Sequence, residues 1–205
     1  MARKTPEEAA RTRRHLIDTA LVLFSRQGIE NTTLKQVAAA AGVTHGALYW
    51  HFRNRADLLQ HIHHHQALPF EAHYLEQRQG VHQDALAALR LYVQGVLTAF
   101  VRQPAMAALY RVFYMPSAPI ADLSALQAEL IQNRRQWCDQ LRYFLKQARK
   151  QKQLPKNCAP RATAFLMQTA LEGVLQAWLR SEGEFDLNQQ GEALLSLLLG
   201  GLAQE

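Results

Sequence analysis

The chain has 205 residues, of which 48% are hydrophobic, enough for one large or two small domains with a substantial core. Its two cysteines, Cys138 and Cys158, match no metal-binding or redox spacing. We identify no apolar run of membrane-spanning length and no apolar segment behind the charged N-terminus. These features predict a cytoplasmic protein without a membrane partner and exclude a disulfide-bonded scaffold.

The net charge of +6 is concentrated near the N-terminus. The first 60 residues hold nine Lys or Arg and five Asp or Glu, a balance of +4, and the remaining residues add +2. A basic region of this kind suits a polyphosphate partner. We therefore expect Arg3 and Lys4, at the start of the first helix, to reach a nucleic-acid backbone.

The first predicted helix begins at Thr5, with Pro6 at its first position and Glu8 completing a capping box, and it ends at Gly28. Its core face is predicted from residues at helical spacing: Ile17, Ala20, Leu21 and Phe24.

Residues 33–57 hold two short helices separated by a turn of small residues. Thr33 is a suitable N-cap, and Gln36 three residues later completes a capping box. Gly42 can adopt the left-handed conformation that ends a helix. Thr44 then caps a second helix of one to two turns. Two helices joined in this way form a helix-turn-helix, whose second helix enters the DNA major groove.

The rest of the chain is predicted to be helical. Helices are expected from Asn54 to before Pro69, over 82–100, over 105–114, from an N-cap at Asp122 to about 152, over 160–180, and from Asp186 onward. The prediction is an all-α fold of about nine helices, with a three-helix DNA-binding domain at 1–53 and a ligand-binding and dimerisation domain at 54–205. The last two helices are apolar on more than one face, which favours pairing with a second copy of the chain.

The segment G-V-T-H-G-A-L-Y-W-H-F-R-N-R-A-D-L, from Gly42 to Leu58, resembles the signature of TetR-family transcriptional regulators. The preceding segment from Ala9 to Leu34 supports the resemblance, and Ala170 to Leu179 adds to it more weakly. The most similar branch includes AcrR, TtgR and MtrR, which repress multidrug efflux pumps. The resemblance implies a homodimer, paired through its last two helices, on a palindromic operator of double-stranded DNA. It also implies release by a hydrophobic or cationic small-molecule inducer, without catalysis.

The resemblance also implies DNA contacts at seven positions: Thr33, Thr44, His45, Gly46, Tyr49, His51 and Arg55. Thr33 and Arg55 match phosphate contacts. His45 stands where Arg is usual, and because Arg pairs bidentately with guanine, base preference at this site is expected to differ. Trp50 and Phe52 are expected to pack in the core of the headpiece.

The inducer site is predicted from aromatic, apolar and polar side chains of the C-terminal helices. Its candidates are Tyr110, Phe113, Tyr114, Trp137, Leu141, Gln168, Leu171, Glu172, Leu175 and Gln176. Glu172 lies within an apolar stretch, and a buried carboxylate is costly without a partner. Either it meets cationic ligands, as its counterpart in the similar branch does, or it pairs with an Arg such as Arg134 or faces solvent.

Other functions remain open from the sequence. One alternative is a regulator of the same fold that controls metabolic or quorum-sensing genes. A metal or pH sensor would use His61, His64 and His65, with His51 or His73 completing the site. An enzyme is not expected, because no nucleophile–base pair, phosphate-binding loop or HExxH motif is present. No cofactor and no metal are predicted.

Overall fold

The structure is a computed structural model that describes residues 5–116 and 119–203, with side chains through residue 201. Within these ranges the chain forms ten α-helices and one 3-10 helix, and no strand. The all-α prediction is confirmed. Arg3 and Lys4, which were predicted to reach DNA, lie outside the described residues.

The helices follow one another with short connections. Their bounds are α1 Pro6–Gln27, α2 Leu34–Ala40, α3 His45–His51, α4 Arg55–His65, α5 Phe70–Gln77, α6 Ala85–Arg102, α7 Pro104–Tyr114, the 3-10 helix Ala121–Leu126, α8 Gln127–Lys150, α9 Pro160–Arg180 and α10 Leu187–Ala203.

The chain divides into two compact units. Unit 1 comprises residues 1–67 and 105–130, and unit 2 comprises residues 68–104 and 131–205. Unit 1 therefore holds α1–α4, most of α7 and the 3-10 helix, whereas unit 2 holds α5, α6, most of α8, α9 and α10. The functional division at residues 53 and 54 remains a prediction, since the compact units follow a different division.

The N-terminal caps of unit 1 form as predicted. The Thr33 hydroxyl accepts from Gln36 N at 3.2 Å, and the Gln36 side chain accepts from Thr33 N at 2.7 Å. Thr5 and Glu8 make the same reciprocal pair at the start of α1. Gly28, with φ of 83°, ends α1 and donates to the Phe24 carbonyl. Each cap satisfies a backbone group that the helix end leaves unpaired.

The core of unit 1 is apolar and continuous from α1 to α4. Its members from α1 include Ile17, Ala20, Leu21 and Phe24, as predicted, and α2 adds Val37 and Ala38. Leu48 of α3, Phe52, and Leu58, Leu59 and Ile62 of α4 are each at most 1% exposed. This core holds α3 from beneath and leaves its other side on the surface.

Two helix predictions between residues 66 and 127 were wrong. The structure adds α5, and it begins the long helix α8 at Gln127 instead of at Asp122. Asp122 does not cap a helix, because its carboxylate lies in the 3-10 helix and pairs with Arg55. Helix α5 packs through Phe70, whose ring stacks on Trp137 with centroids 4.4 Å apart.

Helix α6 corrects the expectation that no apolar run is long enough for a membrane. By length and composition alone, residues Ala85–Arg102 are apolar enough to cross one. Nine of its 18 residues are buried in unit 2, among them Leu89, Tyr92 and Phe100. A core helix covered on several sides has the same composition.

Candidate functional site

Helix α3 presents the candidate recognition surface. Thr44 caps it by accepting from Ala47 N at 3.2 Å, and Gly42, with φ of 66°, makes the turn that precedes it. Leu48 is fully buried and anchors α3 to the core. A helix of only seven residues is marginal alone, so the cap and this anchor determine its position.

The outward face of α3 is polar and aromatic. His45 and Gly46 are exposed at its N-terminus, and the Tyr49 side chain is 47% exposed one turn later. The His45 and Tyr49 rings meet edge to face at 4.7 Å. Three predicted DNA-contacting residues therefore share one accessible surface, at the helix end where backbone N–H groups attract anions.

The expectation that Trp50 packs in the core was wrong. Trp50 is 73% exposed, and its ring meets the His51 ring at 4.6 Å. Phe52 is 1% exposed, so the matching expectation for Phe52 was right. Leu48 and Phe52 lie four residues apart and face the core together, whereas Trp50 lies half a turn from both. Helical spacing from Leu48 was the signal that could have placed it.

The remaining predicted DNA contacts differ in how accessible they are. Thr33 and Thr44 are both exposed, and their hydroxyl groups already cap the N-termini of α2 and α3. His51 is half-buried at the C-terminal end of α3. These positions are compatible with phosphate contacts, which remain predictions.

Arg55 is engaged within unit 1. Its Nε donates to Asp122 at 2.6 Å, and its Nη1 donates to the Ile29 carbonyl at 2.9 Å and to the Thr32 carbonyl at 3.4 Å. The side chain is 30% exposed. The predicted phosphate contact of Arg55 would therefore compete with these protein partners.

The junction between α3 and α4 carries an exposed cation that was not predicted as a site residue. The Arg53 side chain is 83% exposed and donates to Asp57 at 3.0 Å. This bond is the main reason that the pKa of Asp57 lies below its usual value. Asp57 also accepts from Arg53 N, while Asn54 accepts from Asp57 N, so both side chains stabilise the start of α4.

The predicted ligand residues fall in both compact units. In unit 1, Tyr110 and Phe113 are buried on α7, and the Tyr110 and Tyr114 rings stack at 5.2 Å. In unit 2, Gln176 is half-buried, and the other six predicted ligand residues are buried: Trp137, Leu141, Gln168, Leu171, Glu172 and Leu175. Each group is ordered within its own unit, and ligand contact remains a prediction for all of them.

Glu172 is a buried carboxylate in unit 2 that accepts hydrogen bonds from two side chains. It is 5% exposed, and Arg134 donates to both of its carboxylate oxygens, through Nε at 3.2 Å and through Nη2. Gln168 donates to Glu172 at 3.0 Å and to the Arg134 carbonyl at 3.0 Å. Of the alternatives left open from the sequence, the pairing with Arg134 is the one the structure contains.

Trp137 lies one helical turn beyond Arg134 on α8 and is 3% exposed. Its ring stacks on Phe70, but its indole Nε1 has no hydrogen-bond partner among the described residues. A buried donor left without an acceptor costs about 1–3 kcal/mol. An acceptor supplied by a bound molecule would remove that cost.

Unit 2 contains two cavities that are lined by none of the predicted ligand residues. One has a volume of about 200 Å³ and lies between α6 and α10, where Leu97 meets Gly191. The other, of about 370 Å³, is an open groove between α5 and α6 beside His73 and Arg102. None of the ligand residues predicted from the sequence lines either of these cavities.

A capped helix-turn-helix with an exposed second helix, followed by an all-α region, defines a DNA-binding regulator. The chain belongs to the TetR family. Residues 16–62 match the family model for bacterial regulatory proteins of the tetR family, and residues 84–203 match that for the C-terminal region of MAATS-type transcriptional repressors.

Relatives of known name agree with this assignment. The chain is 32% identical over 203 residues to the HTH-type transcriptional regulator AcrR of Shigella flexneri, covering 97% of this chain and 93% of that protein. The fold matches NalD, the secondary repressor of the MexAB-OprM multidrug efflux pump in Pseudomonas aeruginosa, with a TM-score of 0.78 at 24% identity over 97% of this chain and 99% of that one. It also matches SmeT of Stenotrophomonas maltophilia in complex with triclosan, with a TM-score of 0.68 at 24% identity over 93% and 91%.

These matches establish a TetR-type transcriptional repressor, homologous to regulators of efflux pumps, and not an enzyme. Regulators of this family bind DNA operators and small-molecule ligands, typically as dimers. The predicted family is confirmed.

Proposed function

We propose that this repressor controls a multidrug efflux pump operon and leaves its operator when a hydrophobic or cationic small molecule binds. It works in the cytoplasm as a homodimer on a palindromic operator. The observation that carries the proposal is the exposed N-terminal face of α3, presented by a fully buried anchor beneath it. The assignment to an efflux pump is supported by the similarity to AcrR over 97% of this chain and by the fold shared with NalD, the secondary repressor of a multidrug efflux pump.

The DNA contact is supported by the chemistry of α3. His45, Gly46 and Tyr49 are exposed at the helix end where the backbone N–H groups favour anions. Imidazole and phenol groups hydrogen-bond to phosphates and base edges, and Gly46 leaves room for close approach. The basic excess of the first 60 residues adds sequence-independent attraction to the duplex.

The homodimer is supported by apolar side chains that unit 2 leaves on its surface. Phe165 and Leu166 of α9 are 62% and 60% exposed, and Leu197 of α10 is 75% exposed. The two helices pack on each other, so their outward faces form a neighbouring pair. Exposed apolar residues on adjacent helices suit an isologous four-helix contact with a second copy.

The response to cations is supported by the asymmetry of the Glu172–Arg134 pair. The Glu172 side chain is 7% exposed, whereas the Arg134 side chain is 58% exposed. A ligand cation could take the place of the guanidinium without leaving the carboxylate unpaired, because the Arg134 side chain lies at the surface. The unpartnered Trp137 N–H offers a donor to a neutral ligand.

The mechanism requires differential affinity. A ligand that binds more tightly to a conformation with low DNA affinity lowers operator affinity, and DNA reciprocally lowers ligand affinity. The test is fluorescence anisotropy with the DNA upstream of the gene that encodes this protein, titrated separately with triclosan and with a cationic dye such as ethidium.

Both ligands are expected to weaken DNA binding by the unmodified protein. Glu172→Gln should abolish the response to the dye and keep the response to triclosan. Trp137→Phe should do the reverse, losing the response to triclosan and keeping the response to the dye. Unchanged DNA affinity at saturating concentrations of both ligands would contradict ligand control by these compounds. Tight binding only to promoters of metabolic genes would contradict the efflux assignment.

A further inference from the structure

The end of α4 and the start of α8 bring two histidines and one glutamate together in unit 1. His64 Nε2 lies 2.9 Å from Glu129 Oε2, and His63 Nδ1 lies 3.6 Å from the same oxygen. The three potential ligand atoms all lie within 4.8 Å of one another. We call His63, His64 and Glu129 the His–Glu cluster.

His63 is the buried member of the His–Glu cluster and is incompletely satisfied. Its side chain is 10% exposed and packs edge to face on Phe113 at 5.2 Å. Its Nδ1 is buried without a hydrogen-bond partner among the described residues, and it faces the Glu129 carboxylate. Buried polar atoms of side chains are nearly always paired, so this atom marks a place for a missing partner.

The protonation states suit a cation at this place. Burial lowers the pKa of His63 below its usual value, and neighbouring His64 lowers it further, while Glu129 acts in the opposite direction. The hydrogen bond from His64 lowers the pKa of Glu129. At neutral pH the set offers a neutral imidazole and an ionised carboxylate, the forms that bind metals.

We propose that the His–Glu cluster is a binding site for a divalent transition-metal cation of the zinc class. Imidazole nitrogen and carboxylate oxygen bind Zn²⁺ at about 2.0–2.2 Å, so two ligands of one tetrahedral ion lie about 3.3 Å apart. The observed separations bracket this value. His64 and Glu129 are about half exposed, so small side-chain rotations complete the geometry and leave the fourth position to water.

This site differs from the one that helical spacing suggests. His61 and His65 lie four residues apart, but His61 is directed to Asp57, with its Nε2 3.7 Å from the carboxylate. Glu129 is 65 residues from His64, so no sequence pattern announces it. The proposed site therefore uses two adjacent histidines, which would bind the cation through different ring nitrogens, His63 through Nδ1 and His64 through Nε2.

The cation would join the C-terminal end of α4 to α8. The N-terminal end of α4 is already joined to the 3-10 helix by the Arg55–Asp122 pair. Metal binding would thus attach both ends of α4 to the segment 121–129. This inference goes beyond the proposed function, because metal affinity can be measured without DNA.

The test uses the full chain, purified without a polyhistidine tag and freed of metal by chelation. Calorimetry with Zn²⁺ should give one site per chain, and Co²⁺ should give the intense visible absorption of a four-coordinate site. His63→Gln and Glu129→Gln should each weaken Zn²⁺ binding by about 10–100-fold or more, the loss typical when even an outer-shell partner of a metal site is removed.

The matched control is His61→Gln with His65→Gln, which removes two histidines of the same run and leaves the His–Glu cluster intact. Its affinity should equal that of the unmodified protein. The proposed site would be wrong if Glu129→Gln bound Zn²⁺ as tightly as the unmodified protein does. It would also be wrong if the double variant of His61 and His65 alone abolished Zn²⁺ binding. Glu129 is half exposed, so this variant decides the question even if His63→Gln fails to fold.

Discussion

The two compact units hold their candidate functional residues in opposite ways. In unit 1 the side chains of α3 that are predicted to contact DNA lie on the surface, and one buried residue, Leu48, anchors the helix that carries them. In unit 2 the candidate ligand residues Trp137, Gln168 and Glu172 are themselves part of the core. We therefore expect the exposed residues of α3 to tolerate substitution with little effect on folding, whereas changes at the buried candidate residues of unit 2 should alter stability and function together.

The largest expected effect tests the division of α3 into a core side and a surface side. Phe52→Ala should lower the free energy of unfolding by about 3–5 kcal/mol, because a buried aromatic side chain leaves a cavity. Trp50→Ala, two residues earlier, should change it by about 0.5 kcal/mol or less, because the ring is exposed. Urea denaturation followed by circular dichroism measures both.

Equal losses from the two variants would show that Trp50 is buried in solution. Trp50→Ala should also retain cooperative unfolding with an unchanged dependence on urea concentration, since it exposes no additional core.

The second prediction concerns the buried charge in unit 2. Arg134→Ala should lower the free energy of unfolding by about 1–3 kcal/mol, because Glu172 is left with Gln168 as its main partner. The surface pair Arg142–Asp139, three residues apart on α8, is the matched control. Arg142→Ala should cost about 0–1 kcal/mol. Similar values for both arginines would contradict a buried role for Glu172.

The third prediction separates two roles of Arg55. Arg55→Ala should lower the free energy of unfolding by about 1–2 kcal/mol, because Asp122 and two carbonyl groups lose their donor. Operator affinity should fall, yet the slope of its logarithm against the logarithm of salt concentration should stay unchanged. A slope smaller by about 1 would instead reveal a direct phosphate contact.

Gly46→Ala should change stability less than the substitutions of Phe52, Arg134 and Arg55. Apart from the adjacent residues and the backbone of α3 itself, no described atom lies within 4 Å of the added methyl group, so the helix should gain about 0.5–1 kcal/mol in stability. Operator affinity should fall, because the methyl group occupies the exposed end of α3 that faces DNA. Thermal unfolding and anisotropy on the same protein measure the two changes. Unchanged affinity would place the DNA contact elsewhere on unit 1.

Sequence reasoning was most successful where local chemistry decides the structure. The caps at Thr33 and Thr44 depend on residues within three positions, and the turn at Gly42 depends on its own φ of 66°. The core face of α1 follows from helical spacing. It was least successful for α5 and for Asp122, whose roles depend on residues more than 60 positions away, Trp137 and Arg55 respectively.

By itself, the sequence determined that the chain is all-α, that a helix-turn-helix lies between residues 33 and 51, and that the family is TetR. The first two conclusions depend on contacts within a few residues, which composition and spacing record directly, whereas the family was inferred from the resemblance of the segment from Gly42 to Leu58. Only the tertiary structure decided that Glu172 pairs with Arg134, that Arg55 is held by Asp122, and that Glu129 meets His63 and His64. Such pairs join distant helices, and their partners are selected by packing, which leaves no periodic trace in the sequence.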